Sequence, residues 1–210
     1  MRRLITQTFV SLDGIMQAPG GPDEDPSGGF AHGGWTVPYW DDAVGEVMDE
    51  TMGRQFDLVL GRKTYEIFAG YWPHADGEIA AKLNGAAKHV ASTTLTEVTW
   101  GNSSLIGDAV PAGVAALKEQ DGPELQVHGS AGLIQTLLAH GLVDEMRILL
   151  YPVVLGGGKR LFAEGTVPAA LRLSSARALP NGVVATVYEP SGEVEVGSFD
   201  LEEPAEAEAR

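Results

Sequence analysis

A short apolar strand that runs directly into two cations and a hydroxyl gives the first chemical indication in this sequence. The segment Leu58–Leu60 predicts a buried strand, and Gly61 ends it in a turn. Arg62, Lys63 and Thr64 follow at the start of a predicted helix. The first turn of a helix has free N–H groups and the positive end of the helix dipole, so this turn suits an anionic ligand.

A second strand-to-helix turn has the same character. The strand that ends at His128 is followed by Gly129, Ser130, Ala131 and Gly132 at the start of the next predicted helix. Because the carboxyl ends of parallel strands lie at one edge of a sheet, we expect both helix N-termini to face one crevice. Two such ends suit a pyrophosphate, and the cations of the first turn suit an additional phosphate.

A third turn adds hydroxyl groups on the same side of the predicted sheet. Ser92, Thr93 and Thr94 follow another strand, so the three turns together fit a phosphorylated dinucleotide. Each turn also has an ordinary explanation as a glycine turn, a solvated cation pair or a helix cap. The sequence has no G-x-G-x-x-G fingerprint after a strand, and "LGGGKR" is not a P-loop because Arg160 stands where Ser or Thr is required.

The elements that must position these turns alternate between strands and helices. We predict strands at 4–12, 57–60, 88–93, 103–106, 124–129 and 144–154, helices at 41–52, from 64, at 111–119 and at 130–141, and a closing hairpin at 171–189 with its turn at Asn181-Gly182. This order predicts an α/β fold with a mainly parallel central sheet flanked by helices and a C-terminal antiparallel hairpin.

The chain is predicted to form one domain, 1–190, followed by an acidic tail, 191–210, that we expect to be disordered. Within that stretch "GEVEVGSF" has the composition of an additional edge strand. The glycine- and proline-rich segment 17–38 is a long loop, which is either a functional lid or a floppy insertion.

Composition excludes several classes of function. The 210 residues carry a formal net charge of -15, so a nucleic-acid backbone is not expected as the main partner. The absence of cysteine excludes disulfides, thiolate metal sites and cysteine nucleophiles, and it fits a cytoplasmic protein. No metal-binding spacing is present among the five histidines, and no apolar run is long enough to cross a membrane or to act as a signal peptide.

The sequence resembles the dihydrofolate-reductase-like superfamily, and within it the stand-alone members of the riboflavin-biosynthesis reductase (RibD C-terminal domain) family. The resemblance covers 3–188 and is carried by "SLDGIM", "GGWTVPYWDD", "LVLGRKTYEIFAGYWP" and "VHGSAGLIQTLLAHGLVDEMRILLYPVVLGGGKRLF". It implies an NADPH-dependent reductase that acts on a small nitrogen heterocycle, either pterin- or dihydrofolate-like or 5-amino-6-(phosphoribosylamino)uracil-like. The alternative is a non-catalytic nucleotide-binding protein that retains the fold.

The resemblance also implies roles for particular residues. The phosphates would be held by Gly61, Arg62, Lys63 and Thr64, and the adenosine 2'-phosphate would lie near Ser92, Thr93 and Thr94. The pyrophosphate would be bound by Gly129, Ser130, Ala131 and Gly132, and Leu133 would also contact the cofactor. Asp13, Gly14 and Ile15 would begin the loop over the nicotinamide. Related folds have a Gly-Gly pair where this chain has Gly129-Ser130, and they suggest a cis peptide bond there.

Proton transfer and substrate stacking have several candidates. Asp13, Asp41 and His128 are the candidate proton handlers, and Trp35, Trp40, Tyr65 and Tyr151 are candidates to contact a flat substrate. Asp41 is alternatively a helix cap, His128 a hydrogen-bonded structural histidine, and Tyr65 and Tyr151 core residues. A chain without cysteine cannot hold the zinc of the deaminase half found in bifunctional riboflavin proteins. The apolar strand "MRILLYPVVLG" could support a homodimer.

Overall fold

The computed structural model describes residues 1–107 and 109–199, and these residues form one eight-stranded sheet with helices packed on its two faces. The strands are β1 Leu4–Ser11, β2 Phe56–Gly61, β3 Lys88–Ala91, β4 Ser103–Ile106, β5 Glu124–His128, β6 Glu145–Tyr151, β7 Ala170–Ala178 and β8 Val184–Gly192. The helices are α1 Asp42–Met52, α2 Arg62–Tyr71, α3 Glu78–Gly85, α4 Val110–Glu119 and α5 Ala131–Ala139. Short 3-10 turns lie at Ser27–Gly29, Val37–Tyr39 and Trp72–His74.

The sheet is mainly parallel, as the alternation of strands and helices predicts. The strand order is β4-β3-β2-β5-β1-β6-β8-β7, and every pair from β4 to β6 is parallel. β8 pairs antiparallel with both β6 and β7, so the C-terminal hairpin extends one side of the sheet. The predicted α/β class and its antiparallel hairpin are confirmed.

Apolar strands hold the two layers of helices together. Val59 packs into the cluster beneath α4 and α5, whereas Leu58 and Leu60 pack into the cluster beneath α1, and all three are fully buried. Burial on both faces explains why β2 is a continuous apolar run and not an alternating one. The ends of these parallel strands are therefore fixed relative to one another.

Capping residues lie at the helix ends that the sequence predicts. Asp41 is the N-cap of α1, and its carboxylate accepts a hydrogen bond from the Val44 N–H at 3.0 Å. Gly53 follows the last turn of the same helix. After α5, Gly141 has a left-handed φ of 63°, which glycine adopts without strain.

One helix was not predicted, one local expectation is wrong, and one prediction falls largely outside the described residues. The helix α3 was not predicted, because its eight residues are too few to give a clear amphipathic pattern. Residues 193–199 form no strand, so the expected additional edge strand is wrong, and β8 ends at Gly192. Residues 200–210 of the predicted tail lie outside the described part of the chain.

The long loop after β1 is packed and closed on itself. Its Gly33 lies so close to the start of the loop that an added Cβ would be 2.5 Å from the Gly21 carbonyl oxygen. The buried Gln17 side chain donates to the backbone oxygens of Asp25 and Ser27 and accepts from the Lys159 N–H, each at 2.9 Å. The floppy-insertion alternative is therefore unsupported, and the loop is a fixed part of the fold.

No helix within the described ranges 1–107 and 109–199 is long and apolar enough to cross a membrane.

Candidate functional site

The candidate site lies where parallel strands end side by side. β3, β2, β5, β1 and β6 are consecutive neighbours, so the turns that follow them all lie on the same edge of the sheet. That edge brings together the three predicted phosphate-binding turns, the loop that follows β1, and Tyr151 at the end of β6. In open parallel sheets this edge is where ligands bind.

The two predicted anion-binding turns touch each other. A Cβ added to Gly61 would lie 2.1 Å from Oγ of Ser130 and 3.6 Å from Cβ of Leu133. Only glycine therefore fits at the start of α2 while Ser130 keeps its place. Because each turn opens a helix, the free N–H groups of α2 and α5 converge on one small region, as an anion requires.

Ser130 holds a strained backbone conformation at this contact. Its φ is 72° and its ψ is 80°, in the left-handed region that non-glycine residues seldom adopt. The preceding Gly129 also has a positive φ, of 78°. The suggested cis peptide bond between them is wrong: the described residues contain no cis peptide, and the two left-handed residues make the turn instead.

The remaining members of this turn divide between open and buried positions. Gly132 is exposed, with no atom within 4 Å of an added Cβ, and Ala131 is half-buried. Leu133 is only 7% exposed and packs in the core beneath α5. Any ligand contact from Leu133 must therefore come from its backbone, and Gly132 and Ala131 are the accessible positions of this turn.

The two cations of α2 are exposed and share one carboxylate. Nη1 of Arg62 lies 3.2 Å from Oε1 of Glu66, and Nζ of Lys63 lies 3.6 Å from Oε2 of the same residue. Their side chains are 43% and 63% exposed, so both pairs are weak and salt-screened. Thr64 is buried beside them. Glu66 therefore occupies the two cations that the sequence assigned to a phosphate, a contact that the sequence analysis did not include.

The Ser92 turn is closed by hydrogen bonds to the Ser92 hydroxyl and is followed by two exposed threonines. Oγ of Ser92 accepts from the Thr94 N–H at 3.2 Å and from the Leu95 N–H at 2.9 Å, and Ser92 is buried. Thr93 and Thr94 are exposed. The cap explanation therefore holds for Ser92, whose role is to shape the turn, while the two threonines present polar groups at the edge.

A cavity adjoins the Ser92 turn. It has a volume of about 470 Å³ between α4 and β4, with Gly107 near one end and His89 and Ser104 near the other. The Ser92 N–H donates to the Ile106 carbonyl at 3.4 Å, which places the Gly107 end next to the Ser92 turn. The sequence could not have indicated this cavity, because its walls come from three separate elements.

Asp13 is bound by hydrogen bonds on both carboxylate oxygens. It accepts from Oγ of Ser11 at 2.6 Å, from the Leu155 N–H at 3.1 Å and from the Gly156 N–H at 2.8 Å. The hydroxyl of Ser11 is the largest influence that lowers the pKa of Asp13, to about 2, and the two backbone donors add to it. Asp13 is therefore ionised at neutral pH and joins the loop after β1 to the loop after β6.

The residues after Asp13 extend this connection toward the α5 turn. Gly14, with φ 84°, accepts from the Leu161 N–H at 3.0 Å, and Ile15, fully buried, forms an isolated antiparallel bridge with Arg160. Cε of Met16 lies 3.8 Å from an ideal Cβ on Gly129. The predicted nicotinamide loop thus reaches the predicted pyrophosphate turn.

Arg160 is a site residue that the sequence analysis used only to reject a P-loop. Its guanidinium donates to the Asp13 carbonyl oxygen and lies 3.6 Å from an added Cβ on Gly14. The side chain is exposed. It supplies a cation at the loop after β1, which sequence spacing could not reveal because 147 positions separate Arg160 from Asp13.

His128 is neutral and held in one tautomer. The amide nitrogen of Gln126 donates to the Thr51 carbonyl at 2.9 Å, so its oxygen accepts from Nε2 of His128 at 2.8 Å. Burial, with a smaller contribution from Arg147, lowers the pKa of His128 to about 4. His128 therefore presents Nδ1 as an acceptor and carries no proton to give as an imidazolium at neutral pH.

Three of the four aromatic candidates are buried. Trp35 is 7% exposed and donates from Nε1 to the Gln17 carbonyl at 2.7 Å, and Tyr65 is 4% exposed, its hydroxyl accepting from the Thr99 and Trp100 N–H groups at 2.8 and 2.9 Å. Tyr151 is fully buried. Only Trp40, 46% exposed beside the N-terminus of α1, offers an open ring to a substrate.

Tyr151, at the end of β6, is influenced by the charge of Asp41, the N-cap of α1. The Tyr151 ring makes edge contacts with Phe9, Trp35 and Tyr39, and its hydroxyl has no hydrogen-bond partner among the described residues. Burial and the nearby charge of Asp41 raise the pKa of Tyr151. The phenol is therefore neutral and can donate a hydrogen bond, although its buried ring has no face for stacking.

No group of three or more His, Asp or Glu side chains is placed to hold a metal ion in the described part of the chain.

Comparison with known proteins identifies the family. The family model for the RibD C-terminal domain matches residues 2–185. This chain belongs to the RibD C-terminal domain family. It is also 30% identical over 202 residues to the uncharacterized protein YyaP of Bacillus subtilis, an alignment that covers 91% of this chain and 96% of YyaP.

Solved structures share the fold of this RibD C-terminal domain. A pyrimidine reductase-like protein of Corynebacterium diphtheriae matches with a TM-score of 0.64 at 13% identity, covering 91% of this chain and 93% of that one. Dihydrofolate reductase of Enterococcus faecalis, solved with NADP(H) and RAB-propyl, matches with a TM-score of 0.59 at 12% identity, covering 90% of this chain and 96% of that one. The fold is therefore dihydrofolate-reductase-like, as the resemblance implied.

Proposed function

We propose that this RibD C-terminal domain is an NADPH-dependent reductase that transfers a hydride to a small nitrogen heterocycle. The observation that carries the proposal is the contact between Gly61 and Ser130, which brings two helix N-termini together at the carboxyl edge of the sheet. A dinucleotide has a pyrophosphate at its centre, and two converging helix N-termini are suited to that charge. Membership of a reductase family supports the same conclusion.

The cofactor fits the residues present. The missing side chain of Gly61 lets Ser130 and the α5 turn pack against the start of α2, and Gly132 leaves the α5 turn open. The cations Arg62 and Lys63 stand at the start of α2 for an additional phosphate. The exposed residues Thr93 and Thr94 follow the neighbouring strand β3 and add hydroxyl groups at the same edge. When bound, NADPH supplies the hydride; the chain binds it and orients it.

The substrate side is formed by the region around the N-terminus of α1. Trp40 presents an exposed ring, Asp41 an exposed carboxylate, and Tyr151 a buried hydroxyl without a partner. An aromatic ring next to a hydrogen-bond acceptor and donor suits a flat heterocycle with polar edges. We therefore propose a pterin- or dihydrofolate-like substrate, or one like 5-amino-6-(phosphoribosylamino)uracil.

The three proton-handling candidates differ in what they can do. Asp13 is ionised and engaged by three donors, so it positions the loop over the reacting face. His128 is neutral and accepts at Nδ1. Asp41 is the exposed carboxylate beside the substrate region, and we propose that it exchanges the proton with the heterocycle, directly or through water.

A second candidate function is nucleotide binding without turnover. The observation in its favour is that Asp41 already caps α1 through the Val44 N–H at 3.0 Å. A carboxylate used for capping leaves the substrate region without a dedicated acid. This alternative predicts cofactor binding without NADPH oxidation.

Titration with NADPH and with NADH tests the proposal, followed through energy transfer from the four tryptophans to the bound nicotinamide. We expect saturable binding that is tighter for NADPH. Oxidation of NADPH is then followed with dihydrofolate, pterins and aminouracils. Binding without oxidation of any of these would support the second function, and no binding of either nucleotide would contradict both.

A further inference from the structure

A row of three polar side chains crosses the amino end of the sheet, opposite the candidate site. Asp57, His89 and Ser104 are each the second residue of a strand, in β2, β3 and β4 respectively. These strands are parallel neighbours, and His89 is paired in register with Ser104. The candidate site uses the turns at the carboxyl ends of the same sheet, so the row is separate from it.

The three side chains are close enough to act together. Nδ1 of His89 lies 3.3 Å from Oγ of Ser104, and Nε2 of His89 lies 3.7 Å from Oδ2 of Asp57. The first distance is that of a hydrogen bond, whereas the second is an electrostatic contact. Nε2 is buried and has no hydrogen-bond partner among the described residues. Carboxylate, imidazole and hydroxyl therefore follow one another in the order that activates a serine for acyl transfer.

The carboxylate of Asp57 sets the tautomer of His89. Asp57 has a fixed place because it forms a salt bridge with the buried guanidinium of Arg2. A carboxylate beside Nε2 favours the proton on that nitrogen, which leaves Nδ1 to accept from the Ser104 hydroxyl. Burial lowers the pKa of His89, and the charge of Asp57 opposes that shift while Arg2 adds to it. The imidazole is therefore neutral at neutral pH, which is the form that takes up a proton.

Ser104 stands at the edge of the sheet, where a substrate can reach it. β4 is the edge strand, and Ser104 is exposed. Its Oγ also lies 3.4 Å from the Lys88 carbonyl oxygen, a longer contact than the one with His89. The hydroxyl is therefore free to direct its hydrogen to Nδ1 of His89.

Donors for a developing oxyanion are present beside Ser104. β3 and the residue after it donate to the carbonyl oxygens of Asn102 and Ile106, so the even-numbered peptide groups of β4 face β3. Because these groups alternate in direction along a strand, the Leu105 N–H points away from β3. Gln120, at the end of α4, lines the adjoining cavity and carries a side-chain amide. Both groups are of the kind that stabilises the oxyanion of a tetrahedral intermediate.

The cavity between α4 and β4 gives the row a place for a substrate. It has a volume of about 470 Å³ and is lined by His89 and Ser104 together with the apolar Leu105, Ile106 and Leu117. Among the described residues that line it, His89 is the only titratable one. A chain with a net charge of -15 also repels anions. The cavity therefore suits a small, neutral and partly apolar molecule.

We propose that Ser104 and His89 form a second catalytic site, which hydrolyses small neutral carboxylic esters, with Asp57 as a positioning residue. Oγ of Ser104 bonds to the acyl carbon, its proton passes to Nδ1 of His89, and the alcohol leaves with that proton. Water then attacks the acyl-serine and gives its proton to Nδ1, and Oγ of Ser104 recovers that proton as the carboxylic acid leaves. No residue of this site belongs to the candidate reductase site.

Two measurements on the full chain test the ester site. Turnover is followed with para-nitrophenyl butyrate, and the nucleophile is identified by mass spectrometry after reaction with a fluorophosphonate. We expect the phosphonyl label on Ser104 in the wild type and no label there in His89→Gln. Ser104→Ala and His89→Gln should each lower kcat/KM for the ester by about a hundredfold or more.

The pH profile of Asp57→Asn tests the positioning role. The charged groups that act on His89 are Asp57 and Arg2, while α4 and β4 contribute the neutral Gln120 and Ser104. Loss of the carboxylate lowers the pKa of His89, so the limb of the kcat profile that rises with pH should move to lower pH. The value of kcat should fall with little change in KM. A limb that stays in place would contradict the role of Asp57.

Matched controls are available for both catalytic residues. Ser103→Ala removes the neighbouring hydroxyl, which lies on the other face of β4, and His140→Gln removes an exposed histidine after α5. Both should leave hydrolysis and labelling unchanged, and circular dichroism establishes that each variant is folded. Absence of label on Ser104, or undiminished hydrolysis by Ser104→Ala, would overturn the proposal. NADPH titration of Ser104→Ala should match the wild type, so failure of the ester site and failure of the reductase are distinguishable.

Discussion

At the scale of single residues, the candidate site is defined by what each charged group already binds. Arg62 and Lys63 share Glu66, Asp41 binds the start of its own helix, and Asp13 binds two loop N–H groups. A residue type therefore predicts chemistry only after its neighbours are known. Arg62 and Lys63 remain exposed and weakly paired, whereas Asp13 is saturated with donors.

Arg62 should distinguish the two nicotinamide cofactors. Arg62→Ala should weaken NADPH binding by roughly tenfold or more and NADH binding much less, because the lost charge-assisted contact is to the additional phosphate. Glu66→Gln should tighten NADPH binding by roughly twofold to fivefold, since it removes the competing carboxylate. Dissociation constants from the tryptophan titration measure both effects. Lys82→Ala is the control, and equal losses for the two cofactors would contradict the role of Arg62.

His128 should make stability depend on pH in the acidic range. Its folded pKa of about 4 lies below the ordinary value of 6.5, so between these values the unfolded chain holds a proton that the folded chain does not. The unfolding free energy should therefore fall as the pH is lowered from 6.5 to 4. The advantage of the wild type over His128→Gln should shrink across the same window.

Urea unfolding at several pH values measures the His128 effect as a difference between the two proteins, which cancels the contribution of the carboxylates. His140→Gln, at an exposed position after α5, controls for the removal of a histidine in general. A constant difference between wild type and His128→Gln from pH 7 to pH 4 would contradict the depressed pKa.

At the scale of elements, two contacts build the site: the α2 turn against the α5 turn, and the loop after β1 against the loop after β6. Neither contact is local in sequence. Asp13 and Gly156 are 143 positions apart, and Gly61 and Ser130 belong to different strand-helix units. Each contact can be broken by a single substitution of its own, at a residue that does not take part in hydride or proton transfer.

The α2 and α5 turns should show strong energetic coupling. Gly61→Ala should destabilise the protein and weaken NADPH binding, because the new Cβ would meet Oγ of Ser130 at 2.1 Å. Ser130→Gly removes that atom and also relieves left-handed strain of about 1 kcal/mol. The double variant should therefore recover most of what Gly61→Ala loses. Urea unfolding and the NADPH dissociation constant measure the cycle, and additive effects of the two substitutions would refute the contact.

The loop contact should depend on the charge of Asp13. Asp13→Asn keeps the shape but weakens the bonds from the Leu155 and Gly156 N–H groups, whose exchange with solvent should accelerate. NADPH binding should weaken by roughly fivefold while the overall secondary structure stays unchanged. Hydrogen exchange by mass spectrometry measures the loop. Asp23→Asn, an exposed position in the same loop region, is the control. Unchanged amide hydrogen exchange at residues 153–161 would contradict the proposed dependence of this loop contact on the charge of Asp13.

At the scale of the whole molecule, negative charge opposes an anionic cofactor. The segment 193–210 contains seven acids and one base, so its removal changes the net charge from -15 to -9. Long-range repulsion is screened beyond about 8 Å at an ionic strength of about 0.15 M. The segment should therefore affect cofactor binding only in dilute salt.

Deletion of 193–210 should leave the NADPH dissociation constant unchanged at about 0.15 M salt and should lower it at about 0.01 M, where the Debye length reaches about 30 Å. Titrations of both proteins at the two salt concentrations measure this. Replacing the acids of 193–210 with their amides controls for chain length. A large loss of affinity at high salt would instead indicate a direct contact with the site.

The sequence by itself determined the fold class and most of the elements. Strand-helix alternation, apolar runs such as Leu58–Leu60 and caps such as Asp41 depend on local sequence, so they predicted the α/β fold and the hairpin at Asn181-Gly182. Glycines and cations at two helix starts indicated an anion. These features are readable because backbone conformation and helix-end charge are set by neighbouring residues.

Only the tertiary structure decided what each candidate side chain can do. Tyr65 and Tyr151 are buried and cannot stack against a substrate, and burial also lowers the pKa of His128. Hydrogen bonds from the distant loop after β6 hold Asp13 in place. The contact between Gly61 and Ser130 joins turns that follow strands far apart in the chain. The physical reason is that burial, desolvation and non-local hydrogen bonds depend on which elements meet, and sequence spacing does not carry that information.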